Sequence, residues 1–150
     1  MAIKEYVKRI FPGTAEEFCK KAGEAMLREE KLFVVTANPE ILMRADGNPA
    51  IRKLLLDEKT AVVPDGISVV RAMRQLSLPV TERITGVDLA EKLLALAGEQ
   101  KKSVYLLGAK EEVVRALAEK LKRQYPGMKV RYRNGYGKDK DADFQEIVKA

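Results

Sequence analysis

The sequence predicts an α/β fold in which a mostly parallel sheet carries helices on both faces, a Rossmann-like arrangement. Three apolar runs of strand length, at 32–36, 60–63 and 103–107, are continuous, as is typical of parallel strands buried on both faces. Helical segments alternate with these runs, which indicates right-handed βαβ units. A length of 150 residues suits one domain, so residues 1–150 are expected to form a single core.

Local signals bound the elements of the first half of the chain. Thr14 and Glu17 form a capping box, which opens a helix. Pro39 suits the first position of a helix that Asn38 caps. Residues 4–11 could be a short strand or a lead-in. The predicted elements are a helix at 14–30, a strand at 32–36, helices at 39–46 and 49–57, and a strand at 60–63.

The second half continues the alternation. Thr85 or Asp88 is expected to cap one helix, and Pro126-Gly127 ends another. The last helix stops at Ala150 without a following strand, so the fold is expected to be C-terminally incomplete. The predicted elements are helices at 67–76 and 85–97, a strand at 103–107, a helix at 111–125, a polar strand near a sheet edge at 128–132, a turn at 134–137 and a helix from Asp141–Asp143.

Composition excludes several kinds of chemistry. The chain has no histidine, which excludes Ser-His-Asp and Cys-His catalysis and the common zinc sites. Cys19 is the only cysteine, and we expect it to be a small core residue. No apolar run approaches the roughly 20 residues of a membrane-spanning helix. The N-terminus lacks an apolar signal core, so a cytoplasmic protein is expected.

Positive charge is concentrated towards the C-terminus. The net charge is +6, and residues 101–150 hold 13 Lys/Arg against 7 Asp/Glu. Such a face could meet phosphates or an anionic membrane surface, or could be a set of solvated helix faces. No helix-turn-helix or stacked-aromatic motif accompanies the charge, so no nucleic-acid partner is expected.

Polar residues follow the predicted strands, at the edge where parallel sheets bind ligands. Asp65 is the best candidate for a general base, because partial desolvation there can raise the pKa of a carboxyl group. Thr36 and Asn38 are neutral groups of the kind that orient sugar hydroxyls. Asp65 and Asn38 could instead be helix N-caps. Arg83 could hold a phosphate or be solvated.

Six short motifs follow one another from about Val34 to the C-terminus. They are Thr36-x-Asn38-x-Glu40, Pro64-Asp65-Gly66, Glu82-Arg83-x-x-Gly86-x-Asp88, Tyr105-Leu106-Leu107-Gly108, Tyr125-Pro126-Gly127 and Asn134-Gly135-Tyr136. Their order and spacing resemble the WecG/TagA/CpsF glycosyltransferase family, and within it the TagA-type N-acetylmannosaminyltransferases.

The resemblance implies an inverting transferase. It would move N-acetylmannosamine from UDP-N-acetylmannosamine to a polyprenyl-diphosphate-linked N-acetylglucosamine, for wall teichoic acid or a related surface polymer. Neither a metal nor another cofactor is expected. The implied roles are catalysis by Asp65 as base with Thr36, acceptor binding by Asn38 and Arg83, and nucleotide binding by Gly108, Gly135 and Tyr136.

The resemblance also implies a place of action, peripheral at the inner face of the cell membrane, on its anionic surface. Family members continue past Ala150 with a Pro-Lys-Gln-Glu-like nucleotide motif and a basic appendage. A non-catalytic nucleotide-sugar-binding module is therefore an alternative, and a basic nucleic-acid- or membrane-binding domain is another. An unfinished parallel sheet exposes apolar edges, so a homo-oligomer is also expected.

Overall fold

The computed structural model of the protein describes residues 3–136 and Gln145. Contacts between Cα atoms divide the chain into two compact units, Met1–Leu93 and Leu94–Ala150. The elements are the helices α1 (Ile3–Lys8), α2 (Ala15–Leu27), α3 (Pro39–Gly47), α4 (Pro49–Leu56), α5 (Ile67–Gln75), α6 (Gly86–Glu99) and α7 (Glu111–Gln124), and the strands β1 (Phe33–Ala37), β2 (Thr60–Pro64), β3 (Ser103–Leu107) and β4 (Lys129–Arg133).

In the first unit, β1 and β2 pair in parallel, with Phe33 opposite Thr60 and Ala37 opposite Pro64. Side chains alternate along a strand, so neighbouring residues face opposite sides of the sheet. Val62 packs into a cluster with residues of α1, α3, α4 and α5, whereas Val63 packs with Phe18 of α2 and Leu89 of α6. Both faces of this sheet are therefore covered by helices, as the continuous apolar runs predict.

Residues 3–8 form a helix, so the strand interpretation of residues 4–11 is wrong for most of that segment. The cause lies in the spacing of Ile3, Tyr6, Val7 and Ile10, which repeats with helical periodicity. Tyr6 and Val7 are buried. Beyond the helix, Ile10 forms a single parallel bridge with Val62, so the segment does lead into the sheet.

The other face of the first sheet depends on α2. Thr14 caps this helix, and the full capping box with Glu17 is present, as predicted. Phe18 is fully buried and meets Phe11 edge to face, with ring centroids 5.3 Å apart. Cys19 packs against the same cluster, partly buried, which fits its prediction as a small core residue.

In the second unit, β3 and β4 pair in parallel, with Ser103 opposite Lys129. Val130 of β4 is buried, and α7 packs against both strands. The buried residues of α7 recur at the spacing of one helix face, namely Val114, Ala118 and Leu121.

The α/β class, the parallel pairing and the positions of the strands are confirmed. The four strands lie in two two-stranded sheets, one in each unit. The helix predicted from Asp141–Asp143 begins outside the described residues, and the single-domain organisation stays a prediction. Within residues 3–136, no helix combines the length and apolar character that crossing a membrane requires.

Candidate active site

The carboxyl ends of β1 and β2 are held together by backbone hydrogen bonds. The amides of Asp65 and Gly66 both donate to the carbonyl of Ala37, at 3.0 and 3.2 Å. A Cβ on Gly66 would lie only 3.2 Å from Cδ of Pro39, so the two turns approach closely. The residues that follow the two strands therefore share one edge of the sheet, as the sequence predicts.

The side chain of Asp65 is not used to cap a helix. The N-cap of α5 is Gly66, and it makes no side-chain capping bond. The N-cap interpretation of Asp65 is therefore wrong. The Asp65 side chain is 27% exposed, and its Oδ1 lies 3.8 Å from an Nη atom of Arg83. A half-buried carboxylate that does not cap a helix has the chemistry of a general base, provided that a substrate hydroxyl reaches it.

Arg83 belongs to a segment, residues 79–85, that we call the anchored loop. The amide and hydroxyl of Thr81 donate to the Pro12 carbonyl at 2.9 and 2.8 Å. Glu82 accepts a hydrogen bond from the amide of Ala15, at the start of α2. The Nε atom of Arg83 donates to the backbone carbonyl of Asp65. Four consecutive loop residues thus have partners elsewhere in the first unit, the fourth being Ile84.

Ile84 supplies the apolar part of that anchoring. Its amide donates to the carbonyl of Pro64 at 2.8 Å, and its side chain is 1% exposed in the cluster of Phe18 and Val63. Burying it fixes the residues on either side. Arg83 is thereby held next to Asp65 although half of its own side chain is exposed. An exposed ion pair at this distance adds little stability, so we attribute the placement of Arg83 to the backbone bonds.

Thr36 lies at the same edge, on β1. It pairs with Val63 and is partly buried. A Cβ at Gly86 would lie 3.3 Å from Cγ2 and 3.4 Å from Oγ1 of Thr36. Glycine at this position allows α6 to begin directly against the threonine. The first unit therefore brings Thr36, Asp65 and Arg83 to one edge.

Asn38 has a structural role that the sequence also predicts. Its Oδ1 accepts a hydrogen bond from the amide of Ile41 at 3.0 Å, and Pro39 occupies the first turn of α3. The N-cap interpretation of Asn38 is confirmed. The amide nitrogen and the second lone pair of Oδ1 are left for acceptor binding, which stays a prediction.

A groove of about 590 Å³ in the first unit includes Arg83 in its lining. It is polar and carries both signs of charge. Its residues come from α2, the anchored loop and α6: Thr14, Ala15, Glu16, Glu82, Arg83, Ile84, Thr85, Asp88, Glu91 and Lys92. We give more weight to the strand edge than to this groove, because Thr36 and Asp65 do not line it.

Three further residues near this edge have structural rather than predicted catalytic or binding roles. Thr85 accepts from the amide of Asp88 at 3.2 Å and donates to its carboxylate at 2.6 Å, so Thr85 acts as the cap that was predicted. Glu82 stands in the same motif and supports α2. Burial raises the pKa of the Cys19 thiol above its ordinary value, and the ammonium of Lys92 opposes that shift.

In the second unit, the turns after β3 and β4 pack backbone to backbone. Gly108 has a φ of +120°, a region that favours glycine, and its amide donates to the backbone carbonyl of Arg133 at 3.1 Å. The amide of Gly135 donates to the backbone carbonyl of Ala109 at 3.1 Å, and a Cβ on Gly135 would lie 3.2 Å from Cα of Gly108. Two of the predicted nucleotide-binding residues are thus adjacent.

Tyr136 and the start of α7 complete this edge. Tyr136 is 72% exposed, and its amide donates to Oδ1 of Asn134 at 3.0 Å. Asn134 in turn donates to Glu111 at 3.0 Å. Glu111 and Glu112 occupy the first turn of α7, which stabilises the helix but opposes the approach of an anion. The helix start is therefore a poorer diphosphate site than its backbone amides alone would suggest.

Comparison with known proteins agrees with the motif analysis. Residues 7–150 match the family described as glycosyl transferase WecG/TagA/CpsF. Two curated relatives, from Bacillus spizizenii (strain ATCC 23059 / NRRL B-14472 / W23) and Staphylococcus aureus (strain NCTC 8325 / PS 47), are both named N-acetylglucosaminyldiphosphoundecaprenol N-acetyl-beta-D-mannosaminyltransferase.

The first is 40% identical over 108 residues, which are 71% of this chain and 42% of the relative. The second is 38% identical over 105 residues, which are 70% of this chain and 41% of the relative. The matched region thus spans about four-tenths of each relative's length. The family match covers nearly the whole chain, and the chain therefore belongs to the glycosyl transferase WecG/TagA/CpsF family.

Proposed function

We propose that the chain carries the acceptor side of an inverting glycosyltransferase. This enzyme moves N-acetylmannosamine from UDP-N-acetylmannosamine to a polyprenyl-diphosphate-linked N-acetylglucosamine, as a step in wall teichoic acid or related polymer synthesis. The names of both relatives support this reaction class and a lipid-linked acceptor. Since that acceptor is a lipid, the proposed place of action is the inner face of the cell membrane, on its anionic surface.

The observation that carries the proposal is the environment of Asp65. Its carboxylate stands at the ligand-binding edge of a parallel sheet, half-buried, unused by the helix cap and 3.8 Å from Arg83. Structural aspartates at this position normally cap the following helix. Here glycine occupies the cap position, which leaves the carboxylate available for chemistry.

The chemistry assigns one role to each polar group. Asp65 removes the proton from the acceptor hydroxyl as the hydroxyl oxygen attacks the anomeric carbon of the donor. The bond from that carbon to the UDP oxygen breaks on the opposite face, which inverts the configuration. Thr36 orients the acceptor by hydrogen bonding, and the Arg83 guanidinium neutralises phosphate charge. The turn pair of Gly108 and Gly135, together with Tyr136, serves the nucleotide.

A second candidate function is a nucleotide-sugar-binding module without catalysis. The observation in its favour is coverage, since the matched region spans only about four-tenths of each relative. A binding module and an enzyme should both be stabilised by UDP. They differ in turnover, which makes a combined experiment decisive.

The test measures transfer and UDP binding with the same protein. Lipid-linked disaccharide is quantified by mass spectrometry, and the thermal midpoint is recorded with and without UDP. We expect Asp65→Asn to lower turnover at least about a hundredfold, the usual minimum contribution of a positioned general base. Asp46→Asn is the matched control, because Asp46 is exposed near the far end of α3.

Each outcome decides something. Undiminished turnover in Asp65→Asn would show that the assignment of the base is wrong. A wild-type chain that UDP stabilises but that forms no disaccharide would overturn the transferase proposal in favour of the binding module. A chain that UDP does not stabilise would overturn both.

A further inference from the structure

Two exposed apolar side chains flank the candidate active site. Ile67, the first residue of α5, is 53% exposed, and Val87, the second residue of α6, is 72% exposed. Ile67 lies two positions after Asp65. Val87 follows Gly86, the residue that abuts Thr36. We call Ile67 and Val87 the apolar ledge.

The place of the apolar ledge sets it apart from scattered surface residues. A single exposed apolar side chain is common in proteins and needs no explanation. Here two of them lie in the first turns of α5 and α6, at the edge that carries the polar side chains of Thr36, Asp65 and Arg83. Ligand sites combine a few oriented polar groups with apolar surface that the ligand covers. The ledge supplies the apolar part beside Asp65.

We propose that the apolar ledge holds the first isoprene units of the lipid-linked acceptor, an inference that rests on the proposed function. That acceptor consists of a sugar, a diphosphate and an apolar chain, joined in that order. Asp65 would meet the sugar hydroxyl. Arg83, with its side chain half-exposed, would meet the diphosphate. The isoprenoid chain then needs apolar surface beside these residues, and the ledge lies there.

The opposite edge of the first unit provides a matched control. Leu56 ends α4 and is 37% exposed, and Leu76 follows α5 and is 41% exposed. Both are apolar, helix-terminal and exposed like the ledge residues. They lie at the carboxyl ends of their helices, away from the strand ends that carry Asp65 and Thr36. Adsorption of an apolar chain without a specific site would use either pair.

The test compares two acceptor analogues that differ only in the chain. N-acetylglucosamine diphosphate carries a methyl group in one and a geranylgeranyl chain in the other, and binding is measured by calorimetry. We expect the wild-type chain to bind the longer analogue about tenfold or more tightly. In Ile67→Ser/Val87→Ser this difference should vanish, with unchanged affinity for the short analogue. Leu56→Ser/Leu76→Ser should keep it.

The outcomes separate this inference from the proposed function. Binding of both analogues without a chain-length difference, or a difference that survives in the ledge variant, would overturn the inference alone. Equal loss in both double variants would indicate unspecific adsorption and overturn it too. If neither analogue binds the wild-type chain, the proposed acceptor is wrong. Binding to phosphatidylglycerol vesicles is measured in parallel. A ledge variant that loses vesicle binding but keeps the difference between the two analogues would show that the ledge contacts the bilayer instead.

Discussion

The two parallel sheets end in different kinds of surface. At the edge of β1 and β2, side chains dominate, namely Thr36, Asp65 and Arg83, and the anchored loop holds Arg83 beside Asp65. At the edge of β3 and β4, the backbone dominates, because Gly108 and Gly135 pack at close range. The same position in a parallel sheet can thus carry either polar side chains or closely packed backbone turns. In the proposed function, the first edge serves the acceptor and the second serves the nucleotide.

The largest effect is expected at Ile84, because its burial holds the loop that carries Arg83 to the edge of β1 and β2. Ile84→Ala removes a fully buried side chain, and we expect a loss of about 2–5 kcal/mol in the free energy of unfolding, measured by urea denaturation. Val87→Ala is the control, because the exposed Val87 should cost under about 0.5 kcal/mol. Similar losses in both variants would show that burial does not anchor the loop.

The backbone edge is tested at Gly108, whose φ of +120° is strained for any residue with a side chain. Gly108→Ala should lower the free energy of unfolding by about 1–3 kcal/mol and weaken UDP binding. Gly47→Ala should be neutral or stabilising by up to about 1 kcal/mol, because a Cβ there meets no atom within 4 Å. A Gly108→Ala protein as stable as wild type would remove the distinction between the two edges.

The smallest effect on stability is expected at Asn38, which follows β1 at the same edge as Asp65. Asn38→Ala removes the cap of α3 and should cost about 1 kcal/mol in thermal or urea unfolding, whereas Asn38→Ser retains a cap and should cost a few tenths. If Asn38 also binds the acceptor, both variants raise the acceptor KM. An unchanged KM in Asn38→Ser would confine Asn38 to its structural role.

The elements that could be predicted from sequence are those with local signals. Thr14, Glu17 and Asn38 cap the helices expected of them, because a cap is decided within about four residues. The first helix was missed because residues 4–11 carry no capping signal, and only the spacing of Tyr6, Val7 and Ile10 indicates a helix there. The pairing of the strands into two sheets is a tertiary property that no local signal specifies.

The candidate site shows the same division. The position of Asp65 at a strand end follows from the apolar run before it. The sequence does not predict that Gly66, rather than Asp65, is the N-cap of α5, because aspartate is itself a favoured cap residue. The partners of the anchored loop lie up to 69 positions away, from Thr81 to Pro12. Nothing in the polar stretch around Ile84 marks it as buried, except that it is the one apolar residue among Thr81–Thr85.

The anchored loop also has a consequence for how the protein folds. Its bonds to Pro12 and Ala15 join residues 69 and 67 positions apart, whereas the α-helices close over a few residues. Contacts between distant residues form late, because the intervening chain must first lose conformational freedom. We therefore expect the anchored loop, and with it the placement of Arg83 beside Asp65, to form late in folding. A partly folded chain would then have helices before the proposed acceptor site is assembled.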